Sequence, residues 1–303
     1  MASVAQRLPE PAAQVRQFPW RTTACFAVLI IAGNFSILRR LLMQWLSDGD
    51  MGHGFFVPIV AGYIVWRRRD TLAALRPEPS WWGVVAILWG LLQGYLATLG
   101  ADLFLQRTSV LITLFGLLLA VGGAPLIRAL AFPLLLLPFM IPFPGVVYNE
   151  ITFPLQLFAS RVAEVALSVL GVPVYRDGNI LEIPSQRLDV AEACSGIRSL
   201  LSLSFLSLVY AYFFDRRVWM RWVLLISTVP IAIVANAGRV TATGLLSEVN
   251  PELAHGVFHT LEGWVIFVIA GLMLVALHFL INRLTRLWRA HPAPPAAPAG
   301  RAA

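Results

Sequence analysis

Cys194 lies in the run Glu192-Ala193-Cys194-Ser195-Gly196-Ile197-Arg198, just before a long apolar stretch. That order puts a thiol near the N-terminal end of a helix. There the unpaired backbone amides and the helix dipole favour the thiolate over the thiol. Arg198, one turn further on, adds positive potential on nearly the same face. Ser195 can cap the helix, and Gly196 leaves room for a peptide backbone to approach. Glu192 is a candidate substrate-binding or supporting residue. The plainer alternative is a helix cap that happens to contain a small residue.

Two further runs could work with a thiolate. In Asn236-Ala237-Gly238-Arg239-Val240 the two polar side chains are three residues apart and share a helix face. A guanidinium there could hold a developing oxyanion or a substrate carboxylate, or simply anchor the helix at the membrane boundary. In His255-Gly256-Val257-Phe258-His259-Thr260-Leu261-Glu262-Gly263-Trp264 the two imidazoles are four residues apart. Such a pair could ligate a metal, but a third ligand is not obvious beside it. One imidazole suffices as the acid and base partner of a cysteine. His259 is the better placed of the two, with Gly263 one turn along; His255 reads as a loop histidine. A fourth place is Asp50-Met51-Gly52-His53-Gly54, where Asp50 and His53 could line the same cleft or be ordinary loop polarity. No metal and no cofactor is expected.

These groups must be positioned by a membrane bundle. Of the 303 residues, 58% are hydrophobic and 13% charged, against about 25% charged in a soluble domain. Apolar runs near the ~20 residues needed to cross a bilayer recur along the chain. The spacing predicts eight spans, at about 22–42, 54–66, 82–99, 108–123, 126–142, 196–214, 221–237 and 261–282. Gly122-Gly123-Ala124-Pro125 predicts a tight turn between the fourth and fifth. Between the fifth and sixth lies an insert, 143–195. Its first part predicts an interfacial helix from Tyr148 to Leu170, with Phe153, Leu157 and Val165 on its apolar side. A β-hairpin follows around Asp177-Gly178, with a second short strand at Leu188-Asp189-Val190. The fold class is therefore an all-α polytopic membrane protein with a small extracytoplasmic insert.

All 23 basic residues are arginine, so lysine Schiff-base chemistry is excluded. The formal charge of +7 suits anionic lipid headgroups. Nothing reads as a nucleic-acid motif. With a cytoplasmic N-terminus, most arginines at span ends fall inside, as the positive-inside rule requires. Arg39 and Arg40 run against it. The same orientation puts the Cys194, Arg239 and His259 runs together on the outer side. Cys25, inside the first apolar run, reads as a small core residue. Residues 1–21 form a cytoplasmic tail, 22–282 the transmembrane domain, and 283–303 a Pro/Ala-rich cytoplasmic tail expected to be disordered.

The four motifs, in this order and with Pro58 and Trp66 after the first, resemble the exosortase family and its archaeal relatives, the archaeosortases. That resemblance implies a bacterial inner-membrane enzyme with its active site on the periplasmic side. It implies substrates carrying a C-terminal Pro-Glu-Pro sorting signal, a transmembrane helix and a basic cluster. It also implies cleavage near the motif, transfer to an acceptor, and a link to exopolysaccharide and biofilm production. Carried over by motif, the catalytic residues are Cys194, Arg239 and His259. The chain ends soon after its last span, without the extra C-terminal domain some members carry, so the subfamily stays open.

The competing reading from a different class is a non-catalytic component of exopolysaccharide export or assembly. In it the outer arginines and histidines bind anionic sugars or lipid carriers. A transporter is third, because no internal repeat or matched pair of broken helices is visible. The partners expected are sorting-signal substrates and the lipid bilayer, with no nucleic acid and an open oligomeric state.

Overall fold

The computed structural model describes residues 20–47, 51–190, 196–249 and 257–290. The chain falls into two compact units, one ending at Pro144 and one starting at Gly145.

The first unit begins with two helices, α1 (Trp20–Gly33) and α2 (Phe35–Ser47), bent 72° from each other. The break falls at Gly33-Asn34, where the Asn34 amide donates to the Ile30 carbonyl at 2.9 Å. A 3₁₀ turn (Gly52–Phe55) leads into α3 (Phe56–Arg67) and the short α4 (Arg69–Ala73). The hairpin α5 (Trp81–Leu99) and α6 (Leu103–Ala129) forms the tightest packing of this unit. Small residues recur along the seam. A Cβ on Gly83 would sit 2.1 Å from the Ala120 nitrogen, and one on Gly90 2.4 Å from the Thr113 hydroxyl. This is the close backbone approach that holds helices together in lipid, where apolar burial gives no net drive. α6 kinks at Gly123, whose φ of 69° takes the expected turn without opening a loop. α7 (Ala131–Leu136) and a second 3₁₀ turn (Leu137–Met140) close the unit.

The second unit starts with α8 (Gly145–Val169). Strands β1 (Tyr175–Asp177), β2 (Ile180–Glu182) and β3 (Arg187–Asp189) then form an antiparallel meander. Gly178, at φ 63°, opens the two-residue β1–β2 loop. Three helices follow: α9 (Gly196–Phe214), α10 (Val218–Val249) and α11 (Val257–Ala290). α10 packs against α8, α9 and α11. Its buried residues form one helical stripe, from Met220 and Leu224 through Ile231 and Ala235 to Val240, Gly244 and Ser247.

The spans differ in detail from those predicted. Four described helices are long and apolar enough to cross a membrane, and up to six spans result if each bent pair counts as one. The run 22–42 divides at its Gly-Asn break. The run 126–142 holds the end of α6, the short α7 and a 3₁₀ turn rather than one long helix. The helix within 54–66 has twelve residues, roughly 18 Å at 1.5 Å per residue.

One side-chain expectation is corrected. Cys25 is exposed, not in a core, because an apolar side chain in a membrane helix can face lipid as readily as protein. On α8, Phe153 and Val165 of the apolar side face outward, at 51% and 62% exposure. The face buried in the protein is Thr152, Ala159, Ser160, Ala163 and Leu167. Small side chains there let the sheet and α10 approach closely.

The turn between α9 and α10 carries a polar cluster that ties three helices together. Asp215 is buried and accepts from the Arg217 Nε at 3.0 Å. Its Oδ2 lies 3.0 Å from the His278 Nε2, and the His278 Nδ1 lies 2.8 Å from the Tyr210 hydroxyl. The Asn282 amide nitrogen also lies 2.9 Å from Nε2, so each ring nitrogen of His278 has a polar partner. The Arg217 guanidinium holds the Asp215 carboxyl well below the usual carboxylate range; burial opposes this and the His278 contact assists. The native pKa is depressed, so the stability gained is present above the unfolded value of about 3.9 and fades as pH falls below it. Asp215→Ala leaves Arg217 and His278 facing an emptied site. It is expected to cost about 3 kcal/mol, the low end for a broken buried pair because Arg217 is a third exposed. Thermal unfolding in detergent checks this. Part of the wild-type loss of stability below about pH 4 should disappear in the variant.

Candidate active site

The polar cluster fixes one end of the α9–α10–α11 bundle and thereby measures the other. At 1.5 Å per residue, Arg198 stands ~26 Å along α9 from Asp215. Arg239 stands ~32 Å along α10 from Val218, and His259 ~28 Å along α11 from His278. α9 and α10 are antiparallel neighbours joined by the Asp215–Arg217 turn, and α11 runs back beside α10. Leu203, Ala211, Leu224, Ile231, Ala235, Ala270 and Leu274 form their common core. The Ser204 and Thr228 hydroxyls meet at 3.1 Å within it. Arg198, Arg239 and His259 are therefore helix positions at the same end, about one hydrocarbon thickness from the Asp215 cluster.

At that end the small sheet packs against α10. Leu181, Ile183, Leu188 and Val190 are buried with Ala163 and Leu167 of α8 and Val240 of α10. Arg176 of β1 pairs with Glu164 of α8 at 2.6 Å. Gln186 donates to the Ser247 hydroxyl, and the Ser185 amide to Glu248 at 3.0 Å. Gly244 sits under Leu167 and Leu188, where an added Cβ would lie 3.1 Å and 3.6 Å from their methyl groups. Val190, four residues before Cys194, is thus buried against the residue that follows Arg239.

Arg239 and Asn236 are half-buried on α10, and the Arg239 Nε is shielded from solvent. Gly196 begins α9. Arg198 lies within α9 and His259 within α11, but their side chains are outside the description. Glu192, Cys194, Ser195 and His255 lie outside the described residues, as does Asp50.

His53 belongs to the first unit, in the 3₁₀ turn before α3. Burial pushes its pKa below the ordinary imidazole value, and a hydrogen bond with the Phe139 backbone opposes the shift. Nearby, the Trp45 indole donates to the Met140 carbonyl at 3.0 Å. A Cβ on Gly54 would strike that indole at 2.6 Å, so this glycine makes room for the tryptophan.

Sequence reasoning passed over Asp215, Arg217 and His278. A signal was present, since His278 is the one ionisable residue in the interior of the last apolar run, beyond Glu262 at its start, and such residues in membrane helices call for a partner.

A family model described as transmembrane exosortase matches residues 45–276, more than two thirds of the chain. The chain belongs to the transmembrane exosortase family. The match begins before the Asp50 motif, runs through both compact units, and contains all four motifs singled out above. No curated protein and no solved structure matched the chain. Exosortases are transpeptidase-type enzymes, and this member is a multi-pass membrane protein by its apolar helices.

Proposed function

We propose that this exosortase is a cysteine transpeptidase acting on exported, membrane-anchored proteins with a C-terminal Pro-Glu-Pro sorting signal. Cys194 is the nucleophile, Arg239 the oxyanion partner and His259 the proton carrier. Glu192, Ser195, Gly196, Arg198, Asn236 and His255 support the site. The observation that supports the reading is that three polar helix positions share one end of the second unit, where Val190, four residues before Cys194 in sequence, is buried with Val240.

The reaction follows from these groups. The Cys194 thiolate adds to the scissile carbonyl, forming a C–S bond and a tetrahedral oxyanion that Arg239 stabilises. Imidazolium at His259 protonates the departing amine as the C–N bond breaks, leaving a thioester. An acceptor nucleophile then adds to the thioester, losing its proton to His259. Collapse of the second oxyanion expels the thiolate.

Orientation is part of the proposal. The Asp215 end of the bundle carries Arg216, Arg217, Arg221, Arg283 and Arg286, whereas the opposite end has Arg198 and Arg239 on the helices and Arg176 and Arg187 on the sheet. The positive-inside rule makes the first end cytoplasmic. The site then opens to the periplasmic face of a bacterial inner membrane, where exopolysaccharide and biofilm proteins are exported. Both termini lie inside.

Co-expression with a tagged sorting-signal protein tests the reading. Wild type should shift the tagged band to smaller size and Cys194→Ala should not. Equal processing by both would eliminate the thiol mechanism. Comparing two alanine variants in the same assay separates the histidines. His259→Ala is expected to lose about 10²–10⁴-fold in rate, the usual share of general acid–base catalysis. His255→Ala should stay within a fewfold of wild type; inactivity of His255→Ala alone would reverse the assignment.

A further inference from the structure

At the Asp215 end, beneath the polar cluster, lies a cavity of about 400 Å³ bordered by the α9–α10 turn and the last turns of α11. Arg216, Arg217, Arg286, Asn282 and Thr285 line it, with Asp215 at its base. The Asp215 charge is already matched by Arg217, and His278 contacts the same carboxylate. Arg216 and Arg286 carry no ion pair among the described residues, and both are exposed. Two guanidinium groups therefore face a space whose carboxylate is taken. Asn282 is engaged by Arg217, which fixes the inner wall. Thr285 donates its hydroxyl back to the Ile281 carbonyl, leaving oxygen lone pairs but no free proton on that side. The lining thus offers donors from arginine and almost nothing that would repel an anion.

Aromatic side chains set the depth of this cavity. Phe214, Trp219, Trp222 and Trp288 surround the same helix ends at 46–83% exposure. Exposed tryptophans at the ends of membrane helices mark the headgroup layer. Below them the helices present Val229, Val268, Leu272 and Phe279 outward, which only lipid chains would cover.

The geometry points to a binding site for the phosphodiester headgroup of an anionic phospholipid, held by Arg216 and Arg286 at the end of the bundle opposite the proposed active site. A planar guanidinium grips phosphate oxygens two at a time. The aromatic ring around the site and the apolar helix faces beneath it favour a lipid over free phosphate, because the acyl chains would lie along surface already exposed. This site does not depend on the proposed chemistry at Cys194.

The test uses the full chain in detergent micelles and a tail-labelled phosphatidylglycerol, with phosphatidylcholine and inorganic phosphate as competitors. Each surface arginine near a headgroup is worth about fivefold in affinity, so Arg216→Gln/Arg286→Gln should weaken phosphatidylglycerol binding about thirtyfold. Arg161→Gln, an exposed arginine on α8, should leave it unchanged. Both cavity arginines are exposed, so their replacement should leave the unfolding temperature in place. Equal binding of phosphatidylglycerol and phosphatidylcholine by wild type would overturn the proposal. So would a double variant that binds like the Arg161→Gln control. Displacement of the labelled lipid by inorganic phosphate at millimolar concentration would overturn the lipid source in favour of a soluble phosphate.

Discussion

Cys194→Ala is expected to leave sorting-signal substrates uncut, with a loss of at least ~10³-fold and up to the ~10⁶-fold seen when a covalent nucleophile is removed. No other group in the run can replace it. Ser195 is next in sequence, but a hydroxyl is a poor nucleophile without a strong base, and helix-end amides cannot ionise it as they ionise a thiol. Cys194→Ser should therefore fall nearly as far as alanine. Cys25→Ala is the internal control. Cys25 is exposed on α1 of the first unit, and its loss should leave cleavage unchanged. The readout is the fraction of tagged substrate shifted at fixed enzyme level, with a thiol-trapping step to capture the thioester. A Cys194→Ala variant that still cleaves would sink the covalent mechanism and revive the export-component reading. A cleaving Cys194→Ser variant would point instead to a hydroxyl-tolerant site with a stronger base than one imidazole.

Much of this was legible because membrane helices and chemistry leave opposite marks. Apolar length announced α5, α6, α10 and α11, since a bilayer imposes a minimum span and forbids unpaired backbone. The hairpin was legible from alternation around Gly178 and from the strand-like Leu188-Asp189 that becomes β3. The bends were not. Whether Gly33-Asn34 or Met140 to Gly145 divides a span depends on what packs nearby, and an apolar run has no local signal for that. The protein-facing side of α8 was not legible for a related reason. Large apolar residues mark the core of a soluble helix, but in lipid they also mark the outside, and the small residues Ala159, Ser160 and Ala163 mark the contact. Arg198, Arg239 and His259 were legible as polar exceptions near helix ends. That these three helix positions share one end of the unit follows from the antiparallel order of α9, α10 and α11, which the Asp215 turn and His278 make visible.

Arg239→Lys should lower turnover by roughly 10²–10³-fold, the usual cost of losing one oxyanion donor. The substitution keeps the charge, so a loss would show that shape matters. Arginine offers a planar fork that can donate two parallel hydrogen bonds, whereas lysine offers a compact and strongly hydrated point charge. The setting sharpens the difference. Arg239 is half-buried, its Nε is shielded from solvent, and Val240 beside it is locked against the sheet. A shorter-reaching ammonium cannot recover the same position by moving the backbone, because Gly244 and Ser247 pin the next turn of α10 to Leu167, Leu188 and Gln186. The kinetic split decides between the two chemical roles open to this guanidinium. If it stabilises the oxyanion, kcat falls while KM stays near wild type, since the interaction exists mainly in the transition state. If it holds a substrate carboxylate instead, KM rises and kcat is largely kept. An unfolding temperature equal to wild type is needed alongside, so that loss of packing is not mistaken for loss of chemistry. Near-normal kcat and KM in Arg239→Lys would remove the residue from both roles and leave it as an anchor of α10 at the membrane boundary.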